Sequence, residues 1–358
     1  METARQEHTP LERTARLLRQ QGEACGVLGS PLYADLLGHA AADLLAAGPT
    51  ADVLDGHLGD RGASALALRM LGGAHALVLS RQAPELAMFY PSVGGTADPG
   101  PGSVRAWAAL RRTLAEHRDA VREWLERPPQ TNEAGRGAAL IGGLRYVAAE
   151  ASLPIRLVEI GASAGLNLRA DRFHIPGDAG SYGDPSSPVV LRGGWQGLPP
   201  PAADLAVIAR TGGDADPIEA TSTDGRLRLT AYVWPDQTGR LERLRGALAL
   251  AGQYPVDLRQ EQASATLART TLASGTWTVL WHSVVRQYLD PDQRAALTQR
   301  VSELGATASR DARFAYLCLE PSRDTGFLVT LVTWPGGRER VLGSAAPHGI
   351  PVRWGSPA

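Results

Sequence analysis

The side chains best suited to chemistry sit close together in Leu157-Val158-Glu159-Ile160-Gly161-Ala162-Ser163-Ala164-Gly165-Leu166-Asn167-Leu168, where an apolar run enters a turn of small residues. Small side chains at Gly161, Ala162, Ser163 and Gly165 let a backbone approach a ligand closely, and a following helix start would offer free N–H groups to a polar or anionic group. The same residues read as G-x-S-x-G, the turn that presents a serine nucleophile. Ser163 would then be that nucleophile, His348 a downstream base, and Asp290 or Asp311 the acid between them in chain order. A tight strand-to-helix turn with no chemical role has the same composition.

These residues need a sheet to position them. From about Pro154 onward, short β-branched runs alternate with Ala/Leu-rich stretches, the pattern of an α/β fold with a mostly parallel sheet. The runs predict strands at Ile155 to Ile160, Leu205 to Arg210, Val256 to Arg259, Trp277 to Trp281 and Phe314 to Leu319. A closing hairpin is expected from Phe327 to Thr333 and Arg338 to Leu342, turned at Pro335-Gly336-Gly337. Helices are expected from Ser163, around Gln237 to Ala251 and around Ala295 to Leu304, with a Gly/Pro-rich insertion at about 171–202.

Before residue 150 the apolar residues recur at helical spacing, as in Leu36, Leu37, Ala40 and Leu44 and again in Met70, Leu71, Ala74 and Val78. This predicts an all-helical domain over 1–150 that caps the site, followed by an α/β domain over 151–358. A Gly/Pro-dense loop is expected from Pro91 to Ser103.

Composition narrows the function. Every one of the 36 Lys+Arg residues is arginine, so a lysine Schiff base and a lysine-dependent phosphate loop are both excluded. The formal net charge of -1 gives no basic footprint for nucleic acid, a local Arg240, Arg243 and Arg245 patch aside. With 44% hydrophobic and 20% charged residues and no long apolar run, a membrane span is not expected. The first residues mix charges of both signs without a secretory pattern, so the expected compartment is the cytoplasm. Cys25 and Cys318 are expected as buried thiols, and no spacing suits a metal.

Glu159-x-Gly161-x-Ser163-x-Gly165 resembles the first motif of class I methyltransferases, with serine in place of the middle glycine, over roughly the last 200 residues. The resemblance implies a Rossmann-like sheet with an antiparallel last strand, S-adenosylmethionine as cofactor, and a small-molecule acceptor. Glu159 would hold the cofactor's amino group, with Gly161, Ala162, Ser163, Gly165 and Asn167 forming its loop. Asp214, in Arg210-Thr211-Gly212-Gly213-Asp214, would accept from the ribose hydroxyls, and Asp216 is the fallback. Gln262 stands where an aspartate would take the adenine amino group. His282, in Trp281-His282-Ser283, is the candidate base, because a histidine near its ordinary pKa of ~6.5 can take a proton from an attacking nucleophile. Tyr288 would line the same cleft.

Substrate-facing candidates are Tyr90, in Tyr90-Pro91-Ser92, and Asn132, Glu133 and Arg136, in Gln130-Thr131-Asn132-Glu133-x-x-Arg136. Arg136 and Arg210 could clamp a carboxylate. The whole chain also resembles an uncharacterised bacterial family known as DUF2332, through these motifs together with Trp234-Pro235 and Pro347-His348-Gly349. Two further readings stay open beside the esterase: a dinucleotide-dependent dehydrogenase, from whose G-x-G-x-x-G the serine at 163 departs, and a module that binds a nucleotide-type ligand without turnover. The esterase reading lacks strands ahead of its serine turn and an HGGG-type oxyanion sequence.

Overall fold

The computed structural model describes residues 9–60, 64–97, 101–177, 181–322 and 326–355. The chain forms two compact units. One comprises residues 1–131 and 227–241, the other residues 132–226 and 242–358.

Through Thr131 every regular element of the first unit is helical among the described residues. The longest helices are Pro10–Val27, Pro31–Leu45, Leu66–Leu79 and Pro101–Glu116. The first two start with proline, whose missing N–H costs nothing in a first turn, behind side-chain caps from Thr9 and Ser30. Leu36, Leu37, Ala40, Leu44, Met70, Leu71, Ala74 and Val78 are all buried, as their helical spacing predicts. Part of the expected Pro91 to Ser103 loop is a short 3-10 turn at Pro91–Val93, and the next helix starts at Pro101; residues 98–100 lie outside the described residues.

Among the described residues, the second unit is built on a nine-stranded, mostly parallel sheet. In chain order the strands are β1 (Ile155–Ile160), β2 (Trp195–Gly197), β3 (Val207–Asp214), β4 (Asp257–Gln260), β5 (Thr276–Ser283), β6 (Ala312–Ser322), β7 (Gly326–Trp334), β8 (Arg338–Ala345) and β9 (Val352–Trp354). Their order across the sheet is β2-β9-β8-β7-β6-β5-β1-β3-β4. The run β6-β5-β1-β3-β4 is parallel throughout. β1 therefore has β3 on one side and β5 on the other. The strand order reverses there, and a parallel sheet opens a crevice beyond the carboxyl ends of its strands at such a point.

Helices cover both faces. Val158, Ile160, Leu280 and Phe314 form a core with Leu297, Val301 and Leu304 of the Pro291–Thr307 helix. On the opposite face, Gly143 of the Gly137–Glu150 helix lies against Leu317, where a Cβ would come within 2.4 Å of a leucine methyl. Gly142 meets the Trp354 ring in the same way.

Two sequence expectations are corrected. The antiparallel part is not one last strand: β7, β8 and β9 form a three-stranded meander, and β2, from inside the expected insertion, pairs with β9 at the sheet edge. No α-helix starts at Ser163. The loop runs instead into a 3-10 segment, Asn167–Arg172. The hairpin pairs Thr333 with Arg338, as its turn residues predict. No helix among the described residues is long and apolar enough to cross a membrane.

Candidate functional site

Glu159 lies in register with Gly212 on β3 and Trp281 on β5. Register neighbours in a parallel sheet share a face, and the Trp281 indole N–H donates to Glu159 Oε1 at 3.1 Å. Oε2 is buried with no hydrogen-bond partner. Burial pushes the carboxyl up to about 8; the Trp281 bond pulls it down, Asp214 pushes it up, and Arg136 and Arg169 pull it down. Glu159 is therefore a mostly protonated acid at neutral pH, with one oxygen committed and one not.

The next residues turn sharply. Gly161 (φ 66°), Ser163 (φ 52°) and Gly165 (φ 64°) are all left-handed. For serine this costs roughly 1–2 kcal/mol, so long-range partners must hold the turn. Gly161 N–H and Ala162 N–H donate to Gly213 O at 2.9 and 3.2 Å. Ser163 N–H donates to Asp214 Oδ2 at 2.8 Å, and Leu166 N–H to Asn132 Oδ1 at 2.7 Å. Arg169 Nη1 donates to Gly165 O at 2.8 Å. Gly212 permits the approach to β3, because a Cβ there would stand 2.8 Å from that of Ala162. A Cβ on Gly161 would stand 2.6 Å from a Val285 methyl, so packing and φ together account for that glycine.

Asp214, expected to grip a diol, uses both oxygens on backbone in this arrangement. Oδ1 accepts from Asp216 N–H at 2.9 Å while Oδ2 holds Ser163. Each oxygen retains a second lone pair.

The polar 132–136 segment comes to this loop. Asn132 and Glu133 are both buried. Asn167 Nδ2 donates to Glu133 O at 3.2 Å, and Glu133 Oε1 accepts from Gly135 N–H and lies 3.8 Å from Arg243 Nη2. Arg136 Nη1 donates to Ser283 O at the end of β5. The Pro347-His348-Gly349 turn closes against the same segment: a Cβ on Gly135 would meet His348 O, and one on Gly349 would meet Arg136 N.

His282 points to the other face of β5, into a different network. Nδ1 lies 2.6 Å from Glu320 Oε1 and Nε2 lies 2.7 Å from Tyr316 Oη, and the side chain is fully buried. Both ring nitrogens are occupied, so the geometry does not present His282 as a base and instead makes it a brace for Glu320. Burial pushes Glu320 up, but the bonds from His282 and from the Val285 and Arg286 N–H groups outweigh it and hold the carboxyl below its ordinary value. That carboxylate fixes a strained loop, since Val284 follows β5 at φ 59°, a conformation rare for a β-branched residue.

The remaining candidates fall elsewhere. Gln262 is exposed ahead of the short Ala263–Arg269 helix. Tyr288 is 57% exposed on the turn after β5. Arg210 forms an ion pair with Asp171 at 2.5 Å, a partner that substrate would have to displace. Tyr90 belongs to the core of the first unit, edge-on to His75 at 5.4 Å, and is not surface-facing. Ser163 Oγ is buried and has no hydrogen-bond partner, hence no histidine partner. Asp290 caps the Pro291–Thr307 helix, and Asp311 takes the Ser274 hydroxyl. The serine-nucleophile arrangement is not assembled.

A family model described as an uncharacterized protein conserved in bacteria, DUF2332, matches residues 15–354. The chain belongs to the DUF2332 family. No curated protein and no solved structure matches it. The DUF2332 segments read from the sequence fall in both units. Asn132 to Arg136, Glu159 to Leu168, Arg210 to Asp214 and Pro347 to Gly349 belong to the second, and the first three are tied together by the hydrogen bonds above. Tyr90-Pro91-Ser92 and Trp234-Pro235 belong to the first, where His75 contacts both Ser92 (2.8 Å) and Ala231 O (3.1 Å).

Sequence reasoning missed Trp281 and Arg169 beside Glu159 and its loop, and Glu320 and Tyr316 in the network around His282. Trp281 stood beside His282, and strand alternation predicts that one of the two faces Glu159. Glu320 and Tyr316 act only through long-range register and left no local mark, whereas Arg169 reaches back four residues to the Gly165 carbonyl. What the site offers chemically is concentrated in one segment: Glu159 Oε2, Ser163 Oγ and Asn167 Oδ1 are all buried without partners on or beside a left-handed loop at the strand-order reversal.

Proposed function

We propose that this DUF2332 protein is an S-adenosylmethionine-dependent methyltransferase acting on a small-molecule acceptor. The observation that carries the reading is the unpartnered Glu159 Oε2 at the end of β1, flanked by a loop whose backbone turns left-handed three times at the reversal of strand order. The parallel order of β4-β3-β1-β5-β6 with antiparallel strands beyond it supports a Rossmann-like methyltransferase sheet, although the three-stranded meander is more elaborate than the resemblance implies. That the first strand in the chain, among described residues, is the one entering Gly161-Ala162-Ser163-Ala164-Gly165 favours this reading over an esterase.

The residues fit the cofactor at its amino-acid end. Glu159 Oε2 would take the amino group, Asn167 Oδ1 and Ser163 Oγ lie in the adjoining loop, and Asp214 would use its remaining lone pairs on a diol. The missing helix after Ser163 removes the N-terminal dipole such loops ordinarily supply, so binding must rest on side chains and loop N–H groups. When bound, the cofactor supplies a methyl group on a sulfonium leaving group.

The chain's own part is binding and alignment, which can provide much of the acceleration in such a displacement. Glu159 must release its proton to hold an ammonium group, and Trp281 keeps the carboxyl oriented as it does so. His282, through Glu320, positions the Val284–Arg286 turn without touching a reactant. Incubating the protein with methyl-labelled S-adenosylmethionine and a panel of small acceptors should give labelled product and S-adenosylhomocysteine. Binding with no transfer to any acceptor would favour a non-catalytic module.

A further inference from the structure

A second polar feature of the sheet-bearing unit shares no residue with the Glu159 loop. Arg145, on the Gly137–Glu150 helix, is 7% exposed. Its guanidinium carbon lies 5.4 Å from the centroid of the Trp195 ring and 5.9 Å from that of Tyr182. Trp195 is itself fixed, donating to Ala138 O at 2.9 Å and packing edge-on against Trp354. Tyr182 donates to Asp171 O at 3.1 Å. Both walls are therefore held by contacts other than the arginine.

Arg145 makes no hydrogen bond or ion pair with any described residue, and its Nε is sealed from solvent. Aromatic faces attract a guanidinium but do not satisfy its five N–H donors, and an unpaired buried cation is costly. Burial lowers its pKa, while Tyr182 and the exposed Asp204 partly restore it. Beside it is a cavity of about 370 Å³, in the range of small-ligand sites, lined by Arg145, Tyr182, Ser181, Asp204 and the apolar Ala203 and Leu205.

We infer that Arg145 and this cavity form a binding subsite for a small organic carboxylate. With Nε closed off, the terminal nitrogens are the part of the guanidinium a ligand can reach, and two parallel N–H groups match the two oxygens of a planar carboxylate. Ala203 and Leu205 provide an apolar wall for a short carbon chain. Asp204 at the mouth disfavours ligands with a second negative charge. The subsite stands whether or not the Glu159 loop binds S-adenosylmethionine, because neither its residues nor its test involve that loop.

The test is calorimetric titration of the full chain with butyrate, with butyramide as the neutral analogue and with inorganic phosphate. Butyrate should bind saturably at one site, with butyramide and phosphate each at least about tenfold weaker, as loss of a charge-assisted bidentate pair predicts. Arg145→Gln should abolish butyrate binding. Asp204→Asn, at an exposed position that does not threaten folding, should tighten it by about fivefold through removal of a nearby like charge. Equal binding of butyrate and butyramide, no saturable binding, or an Asp204→Asn affinity unchanged or weaker would overturn the inference.

Discussion

Replacing Glu159 with glutamine removes a buried acid whose titration differs between the folded and unfolded chain, and the size of the effect follows from its surroundings. Burial raises this carboxyl from 4.5 to about 8. The folded state thus holds the proton more tightly than the unfolded chain. The resulting stabilisation is complete below the unfolded pKa and is lost as pH rises through about 8. Between pH 5 and pH 8 the loss amounts to about 3.5 kcal/mol, at about 1.36 kcal/mol per pKa unit. Glutamine keeps an oxygen for the Trp281 N–H and does not titrate, so Glu159→Gln should differ from wild type by an amount that changes with pH over this window. Urea unfolding followed by circular dichroism at pH 5, 6, 7 and 8 measures this directly. Wild type should lose about 3.5 kcal/mol relative to the variant on going from pH 5 to pH 8. Parallel pH profiles, or wild type gaining on the variant as pH rises, would refute the assignment of a buried protonated acid.

Other substitutions test the rest of the site. His282→Ala should cost about 2–4 kcal/mol in thermal or urea unfolding, because it strands the Glu320 carboxylate and the Tyr316 hydroxyl in the interior. A loss below about 0.5 kcal/mol would show that the histidine is not a brace. Asp214→Asn should cost about 1–2 kcal/mol and loosen the 161–165 loop, seen as faster amide exchange at Ser163, since an amide cannot accept both backbone N–H bonds with a carboxylate's strength. Ser163, whose hydroxyl has no histidine partner, should not be labelled by a fluorophosphonate, and labelling abolished by Ser163→Ala would revive the esterase reading.

Local pattern made the strands of the second unit legible. All seven runs expected as strands between Ile155 and Leu342 overlap strands that begin within a few residues of the expected positions, and Pro335-Gly336-Gly337 sits in the hairpin turn it predicts. The helical spacing of Leu36 to Leu44 and Met70 to Val78 likewise corresponds to buried helix faces. Features decided by distant partners were not legible. A helix from Ser163 fails because Ser163 and Gly165 are left-handed and Arg169 Nη1 takes the Gly165 carbonyl that a helical bond would otherwise use, while Asp214 and Asn132 hold the Ser163 and Leu166 N–H groups in the turn. His282 resembled a base because its two partners lie 34 and 38 residues further along, on β6. Tyr90 looked like a ligand contact, yet a Tyr-Pro-Ser turn packs equally well into a helical core, as it does here against His75. The short β2 strand was hidden in a Gly/Pro-rich stretch whose pairing depends on β9, over 150 residues away.

We propose that the loop beside Glu159 binds the amino-acid end of a sulfonium cofactor, with Glu159 giving up its proton. The decisive experiment titrates the protein calorimetrically with S-adenosylmethionine and S-adenosylhomocysteine at pH 7, in two buffers of different ionisation enthalpy. With the acid at about 8 in the free protein, both ligands should bind with release of about 0.9 proton, and Glu159→Gln should release none and bind more weakly. Absence of binding for both ligands, or binding of equal strength to wild type and Glu159→Gln without proton release, would rule out a cofactor held by Glu159.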